Sequence, residues 1–303
     1  MACYRPVTVS VRPNGKIGFH DQPGDVAPRQ IACGRCVGCR LDRASGWALR
    51  CQHEASLFDH NSFVTLTYDE ENIPEYGSLR YSDVQKFLKR LRKRALGFEA
   101  SPSGKYPIRF FAAGEYGEQF QRPHYHLLLF NFDFKDRKKI SKRLFDSELL
   151  SELWPHGHAS CGSVSAASAA YVSQYSMKKV YGRVEAERWY SEVDRTSGEV
   201  KERVPEFVVM SRRPGIGYWW YERYGSDVLP ADYVVSGGNK IRVPRYYAQK
   251  FAESDPEGYE LVKEAREVAA LDRVTPGRAV AKSVAAEHIT LSKRALLGKG
   301  RSL

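Results

Sequence analysis

The stretch from Gly114 to Phe130, GEYGEQFQRPHYHLLLF, constrains this chain more than any other. His124 to Phe130 is a run of aromatic and aliphatic residues with no Gly or Pro inside it, and it reads as a strand. Strand side chains alternate, so His124 and His126 share one face while Tyr125 and Leu127 share the other. Ile108 to Glu115 reads as the preceding strand, joined antiparallel through the polar loop Tyr116 to Pro123. With a register that sets Glu115 beside the histidines, two imidazoles and a carboxylate make a divalent-metal site with positions left for substrate. Glu118 competes for the carboxylate role. Taken alone, HYH also describes two strand histidines hydrogen-bonded in a core, so the rest of the chain has to decide.

The 303 residues are 42% hydrophobic and 12% aromatic, which places the chain among globular proteins able to bury a sizeable core. No apolar run reaches the roughly eighteen residues of a membrane span, so no membrane partner is expected. The N-terminus MACYRPVTVS has no charged-then-apolar leader pattern, and a cytosolic location is expected. A net charge of +11, clustered along the chain, points to nucleic acid as partner.

Six cysteines in a reducing compartment suit metal ligation or free thiols better than disulfides. Cys33, Cys36 and Cys39 form two overlapping CxxC units, and Cys51 and His53 follow. Cys33, Cys36, Cys39 and Cys51 are the expected ligands of a structural Zn²⁺, with Cys3 as an alternative fourth; reduced free thiols are the competing reading. Gly34 and Gly38 suit the turns such a knuckle needs, and Cys161 reads as a buried thiol.

In chain order, residues 1–30 look extended around the turn Pro13-Asn14-Gly15, and Leu41 to Phe58 has helical spacing. Asn61 to Tyr68, NSFVTLTY, is the first clear core strand, with Phe63, Thr65 and Thr67 on one face. Ser82 or Asp83 can cap a helix to about Leu96 whose Val84, Phe87, Leu88 and Leu91 face inward. Its other face carries Lys86, Lys89, Arg90, Arg92, Lys93 and Arg94 without intervening acids, a candidate contact for DNA phosphates. Asp136 to Leu153 reads as a further helix with Ile140 and Leu144 among its inward residues, followed by a short strand, His158 to Ser165. Beyond, SRRPGIGYWWYERYG offers aromatics for core packing or base stacking. Ser236 to Arg245 reads as a turn and strand, Tyr246 to Leu271 as one charged helix, and the last thirty residues as a basic tail that is mobile or touches DNA.

Ser168 to Val180, SAAYVSQYSMKKV, is free of breakers. As a helix it gathers Tyr171, Tyr175, Lys178 and Lys179 on one face. A metal that polarises a scissile phosphate, a tyrosine hydroxyl that attacks in line and a lysine that favours the phenolate fit together as strand cleavage through a phosphotyrosine link.

The order FVTLTY, then His124-Tyr125-His126, then YxxxY followed by two lysines resembles the HUH endonuclease superfamily in its rolling-circle replication-initiator branch. CGRCVGC and SRRPGIG are similar to the gokushovirus-type initiators of microviruses. The resemblance covers most of residues 31–220. It implies His124, His126 and Glu115 as ligands of Mg²⁺ or Mn²⁺, Tyr171 and Tyr175 as nucleophiles, and Lys178 or Lys179 as the motif lysine. It also implies a nickase and strand transferase that opens single-stranded or replicative-form phage origin DNA, leaves a 5′-phosphotyrosine and a free 3′-OH, and later religates the unit-length strand. No GxxxxGK[ST] motif occurs, so a host helicase and polymerase are the expected partners, in the bacterial cytoplasm.

The expected architecture is α+β: a central antiparallel sheet of about five strands flanked by helices. Residues 1–58 form an extended, Cys-rich segment and first helix, residues 59–185 the nuclease core, and residues 186–303 an extension with an aromatic segment and basic tail. A two-tyrosine transposase of the same superfamily is the nearest rival. A non-catalytic zinc-dependent DNA-binding or packaging protein is the rival from another class.

Overall fold

Alternating apolar residues between Asn61 and Phe130 build the sheet on which both histidines sit, and the helices follow from which face of it needs covering. The computed structural model describes residues 3–14, 16–20, 22–95, 107–177, 189–193, 198–271 and 279–299. The chain divides into two units, Met1–Arg43 together with Glu260–Leu303, and Ala44–Tyr259.

In the first unit β1 (Val7–Val11), β2 (Ile17–Gly18) and β3 (Val26–Ile31) form an antiparallel sheet in the order β2-β1-β3. Asn14 Oδ1 accepts from Lys16 N at 3.1 Å in the turn between β1 and β2. Helix α1 (Val37–Ala55) starts in this unit.

The second unit is organised on a seven-stranded antiparallel sheet. Its strands are β4 (Asn61–Thr67), β5 (Arg109–Tyr116), β6 (Pro123–Phe130), β7 (Lys138–Lys139), β8 (Phe145–Asp146), β9 (Ala159–Ser163) and, after the hairpin β10 (Ser191–Val193) and β11 (Val200–Glu202), β12 (Phe207–Met210). The order is β12-β5-β6-β4-β9-β8-β7. The α+β class is as expected, but seven strands replace about five, because Phe207–Met210 adds itself to β5 and a short β7–β8 pair extends the other edge.

That pair lies where a continuous helix from Asp136 to Leu153 was expected. Only α3 (Glu148–Leu153) is helical there. Asp136 intervenes, its carboxylate accepting from Ser147 Oγ at 2.7 Å and Leu149 N at 2.9 Å, so the helix starts at the Ser147 cap. Ile140 and Leu144, expected inward, are exposed.

Each sheet face has its own core. Val64, Leu66, Tyr125, Leu127 and Leu129 pack with Val84, Phe87, Leu88 and Leu91 of α2 (Tyr81–Ala95) and with Leu150 and Leu153 of α3. Phe111, Ala113, Leu128 and Phe130 pack on the opposite face with Cys51 and Trp47 of α1 and with Ala169 and Val172 of α4 (Ala166–Gln174). Burial of this extent, at about 25 cal/mol per Å² of apolar surface, dominates the stabilisation of the sheet.

The aromatic segment forms α5 (Tyr218–Val228), in which Tyr221 and Val228 are buried and Trp219 and Trp220 lie against the protein. Trp220 stacks on His53 with centroids 3.5 Å apart, and the Arg109 guanidinium lies 4.6 Å from the Trp219 ring centre. The preceding SRRPGIG anchors it. Buried Glu54 pairs with Arg109 Nε at 2.5 Å and accepts from Gly217 N at 2.5 Å, while Arg50 Nε donates to the Ile216 carbonyl at 2.9 Å. Gly217 adopts φ +82°, and a Cβ there would come within 2.3 Å of Tyr247 Oη, so glycine is required.

After the hairpin β13 (Tyr233–Ser236) and β14 (Asn239–Arg242), the expected single helix is two, α6 (Arg245–Ser254) and α7 (Pro256–Leu271). The break falls at Asp255, where the following proline disfavours helical backbone. Within the last thirty residues, expected to be mobile or to touch DNA, Ala279–Lys299 is helical as α8, consistent with its alanine-rich, proline-free sequence.

Candidate active site

Strand register brings the cluster together. In the β5–β6 ladder Glu115 stands opposite His124 and Ala113 opposite His126, so both imidazoles and the carboxylate share one face. Glu115 Oε1 lies 2.8 Å from His124 Nε2 and 3.1 Å from His126 Nε2. Among the described residues this is one of two groups whose ligand atoms all lie within 4.8 Å of one another. Glu118 lies in the exposed turn beyond β5 and is not part of it.

Outer contacts fix the rings. His124 Nδ1 lies 3.1 Å from the Arg122 carbonyl oxygen, which can only accept, so Nδ1 carries a proton toward it and Nε2 is the nitrogen that faces Glu115. His126 Nδ1 is held by Thr65 Oγ1 at 3.1 Å, and Phe63 stacks on the same ring with centroids 5.8 Å apart. Thr65 was legible in the sequence only as a residue on the right face of the first core strand. Two imidazole nitrogens and one carboxylate oxygen within 4.8 Å of one another are a donor set that fits a divalent cation with open coordination positions. His124 retains 17% side-chain exposure against 6% for His126 and 5% for Glu115, so the cluster opens to solvent on the His124 side.

Over this face lies α4, started by a capping box in which Ser165 and Ser168 bond each other's backbone N–H. The helix ends at Gln174, and Tyr175–Met177 tighten into a 3₁₀ turn. Tyr171 Oη stands 3.4 Å from His126 Nε2. The Tyr175 ring stacks on His126 at 5.3 Å and 10°. Burial raises the Tyr175 hydroxyl pKa well above the ordinary tyrosine value, and the negative charge of Glu115 raises it further. Lys178 and Lys179 lie outside the described residues.

The basic helix is elsewhere. α2 covers the sheet face opposite the histidines, as its packing against Tyr125 and Leu127 requires. Arg90 Nε donates to the Leu153 carbonyl at 3.0 Å and Arg92 Nη2 to that of Ile108 at 3.3 Å, so these two hold protein backbone. Lys86 reaches Asp83 at 3.6 Å, and Lys89, Lys93 and Arg94 are exposed. Sequence reading missed a cavity of about 370 Å³ lined by Tyr76, Phe120, Arg122, Lys201 and Arg203. Phe120 is 74% exposed. The signal available was only Phe120 standing apolar in a polar loop.

Cys51 is corrected as a zinc ligand. It lies in α1 twelve residues after Cys39, roughly 18 Å along the helix at about 1.5 Å per residue. It is fully buried among Phe111, Leu128 and Val172, and burial raises its thiol pKa. His53 bonds Tyr247 Oη at 3.0 Å. The sulfur that joins Cys33, Cys36 and Cys39 is that of Cys3.

An antiparallel sheet whose central strands offer a two-histidine, one-carboxylate cluster to a tyrosine-bearing helix is an HUH-like α+β architecture. Residues 61–180 match a family described as replication-associated protein ORF2 and its relatives. The chain is 32% identical over 265 residues to replication-associated protein VP4 of Bdellovibrio phage phiMH2K, covering 85% of this chain and 79% of that protein. It is 30% identical over 296 residues to replication-associated protein ORF2 of Spiroplasma virus 4, covering 88% and 86%. Replication-associated protein ORF4 of Chlamydia phage 1 is 27% identical over 240 residues, covering 75% and 55%. No solved structure matches. The chain belongs to this replication-associated protein (ORF2) family. Among the described residues, no helix is long and apolar enough to cross a membrane.

Proposed function

We propose that this protein initiates phage DNA replication in the bacterial host by cutting one DNA strand through a tyrosine. The observation that carries the reading is the convergence of His124 Nε2 and His126 Nε2 on one Glu115 oxygen, with Tyr171 Oη 3.4 Å from His126 Nε2. His124, His126 and Glu115 hold the cation; bound Mg²⁺ or Mn²⁺ supplies Lewis-acid polarisation of the scissile phosphate.

Tyr171, half-buried with its hydroxyl 3.4 Å from His126 Nε2, makes the first attack. Its oxygen bonds phosphorus as the P–O3′ bond breaks, the phenol proton leaves, and the released 3′ oxygen takes up a proton as a free 3′-OH. The 5′ phosphate stays on the tyrosine, so the energy of the phosphodiester is conserved and a 3′-OH can later reverse the step. Tyr175, one turn further on, serves the second transfer.

Phe120 and Tyr76 give flat faces for unpaired bases, and Arg122, two residues before His124, gives positive charge for phosphates together with Lys201 and Arg203. A cavity that combines exposed aromatic faces with positive charge favours single-stranded DNA as substrate. The test is to incubate end-labelled single-stranded origin fragments with the protein and Mn²⁺ or EDTA, then resolve on a denaturing protein gel. Metal-dependent label that stays on the protein is the expected result, and label that never becomes covalent overturns the reading.

A further inference from the structure

Four sulfurs meet in the first unit, in a place strand cleavage does not use. Cys3 comes from the N-terminal segment, Cys33 and Cys36 from the turn entering α1, and Cys39 from its first turn. All four Sγ atoms lie within 4.8 Å of one another, and Cys3 Sγ is 3.8 Å from Cys36 Sγ. A disulfide needs about 2.05 Å. A tetrahedron of thiolates about 2.3 Å from a central zinc has sulfur–sulfur edges of about 3.8 Å. The observed separation is that of ligands around an ion.

The surrounding backbone is arranged for thiolates. Cys33 N donates to Cys3 Sγ at 3.3 Å, Tyr4 N to Cys36 Sγ at 3.4 Å, and Arg35 N and Cys36 N to Cys33 Sγ at 3.4 and 3.3 Å. Gly34 at φ +73° makes the knuckle turn, and the start of α1 adds the positive end of its dipole. Uncharged thiols gain little from such donors, whereas thiolates gain much.

We propose that Cys3, Cys33, Cys36 and Cys39 hold a structural Zn²⁺. Binding exchanges four thiol protons for one ion, with no redox change. The ion fixes Cys3, and the residues after it grip α8: Tyr4 Oη lies 2.9 Å from Thr290 Oγ1, Ser283 Oγ donates to the Tyr4 carbonyl at 2.8 Å, and Arg5 Nε pairs with buried Glu287 at 2.8 Å. Zinc therefore fastens both ends of the chain within this unit. The inference is independent of the strand-cleavage reading.

The test is elemental analysis for zinc and iron on the purified full chain, alongside Cys3→Ser and Cys51→Ala. One zinc per chain is expected in the parent and in Cys51→Ala, with near none in Cys3→Ser. In the parent, a mercurial thiol reagent should release one zinc per four thiols titrated, and Co²⁺ exchange should give a tetrathiolate spectrum; both read out even where Cys3→Ser fails to fold. Zinc-free parent protein with no tetrathiolate cobalt spectrum overturns the proposal. So does stoichiometric iron in its place, or zinc lost from Cys51→Ala and kept by Cys3→Ser.

Discussion

Tyr171 and Tyr175 lie edge to face, ring centroids 5.3 Å apart at 86°, yet their hydroxyls live in different surroundings. Tyr171 is half-buried beside His126, whereas Tyr175 is 6% exposed with Glu115 opposing its ionisation. Tyr171→Phe is therefore expected to reduce the first cleavage by on the order of 10³-fold or more, as loss of a nucleophile does. Tyr175→Phe keeps the ring on His126 and should leave first cleavage within a few-fold while blocking the second transfer. Single-turnover assays of covalent adduct and of joined product separate the two. Equal loss of first cleavage in both variants would reverse or merge the roles.

Both histidines aim at one carboxylate oxygen, so removing either should act through the metal. His126→Ala is expected to raise the Mn²⁺ concentration needed for half-maximal cleavage by about 100-fold or more. Thr65→Val, which removes only the partner of His126 Nδ1, should raise it by less. A metal titration of cleavage for the three proteins checks the order, and an unchanged midpoint for His126→Ala would move the metal elsewhere.

Phe120 stands 74% exposed beside three cationic side chains. Phe120→Ala should weaken binding of single-stranded DNA by about 1–3 kcal/mol, the usual worth of one stacked base. The urea midpoint should stay unchanged, because the ring contributes little burial. Lys89→Ala with Lys93→Ala, on the outer face of α2, should change the affinity for short single strands less. Fluorescence anisotropy at fixed salt measures both, and a larger effect from the lysine pair would assign binding to α2.

The positions around the cluster were legible because strand period is two and the loop from Tyr116 to Pro123 is short, which left Glu115 few registers. Thr65 was visible as a face but not as a partner, since the β4–β6 pairing that sets it against His126 is a tertiary fact. Cys51 misled because its residue type fits zinc, while the length of α1 carries it into the core. Between Asp136 and Leu153 the apolar spacing imitated a helix that the Asp136 bonds to Ser147 and Leu149 interrupt. The bonds of Arg90 and Arg92 to the Leu153 and Ile108 carbonyls were not legible, because a sequence does not reveal which backbone carbonyls end up within reach.

His53 offers a measurement of the second core by pH. It is buried against Trp220 and Tyr247, with centroids 3.5 and 5.8 Å away, and burial lowers its pKa from 6.5 to about 4. The unfolded chain takes up this proton near pH 6.5 and the folded one only near 4, so stability present above 6.5 is lost as pH falls through that window. The total is of the order of 3 kcal/mol, of which about 2 kcal/mol is lost between pH 7 and 5. His53→Phe keeps a ring against Trp220 and removes the titration. Urea unfolding at pH 7 and 5 should therefore show the parent losing about 2 kcal/mol more than the variant. Equal losses would mean that His53 is protonated in the folded protein, and its stack on Trp220 would then be a cation held against a π face.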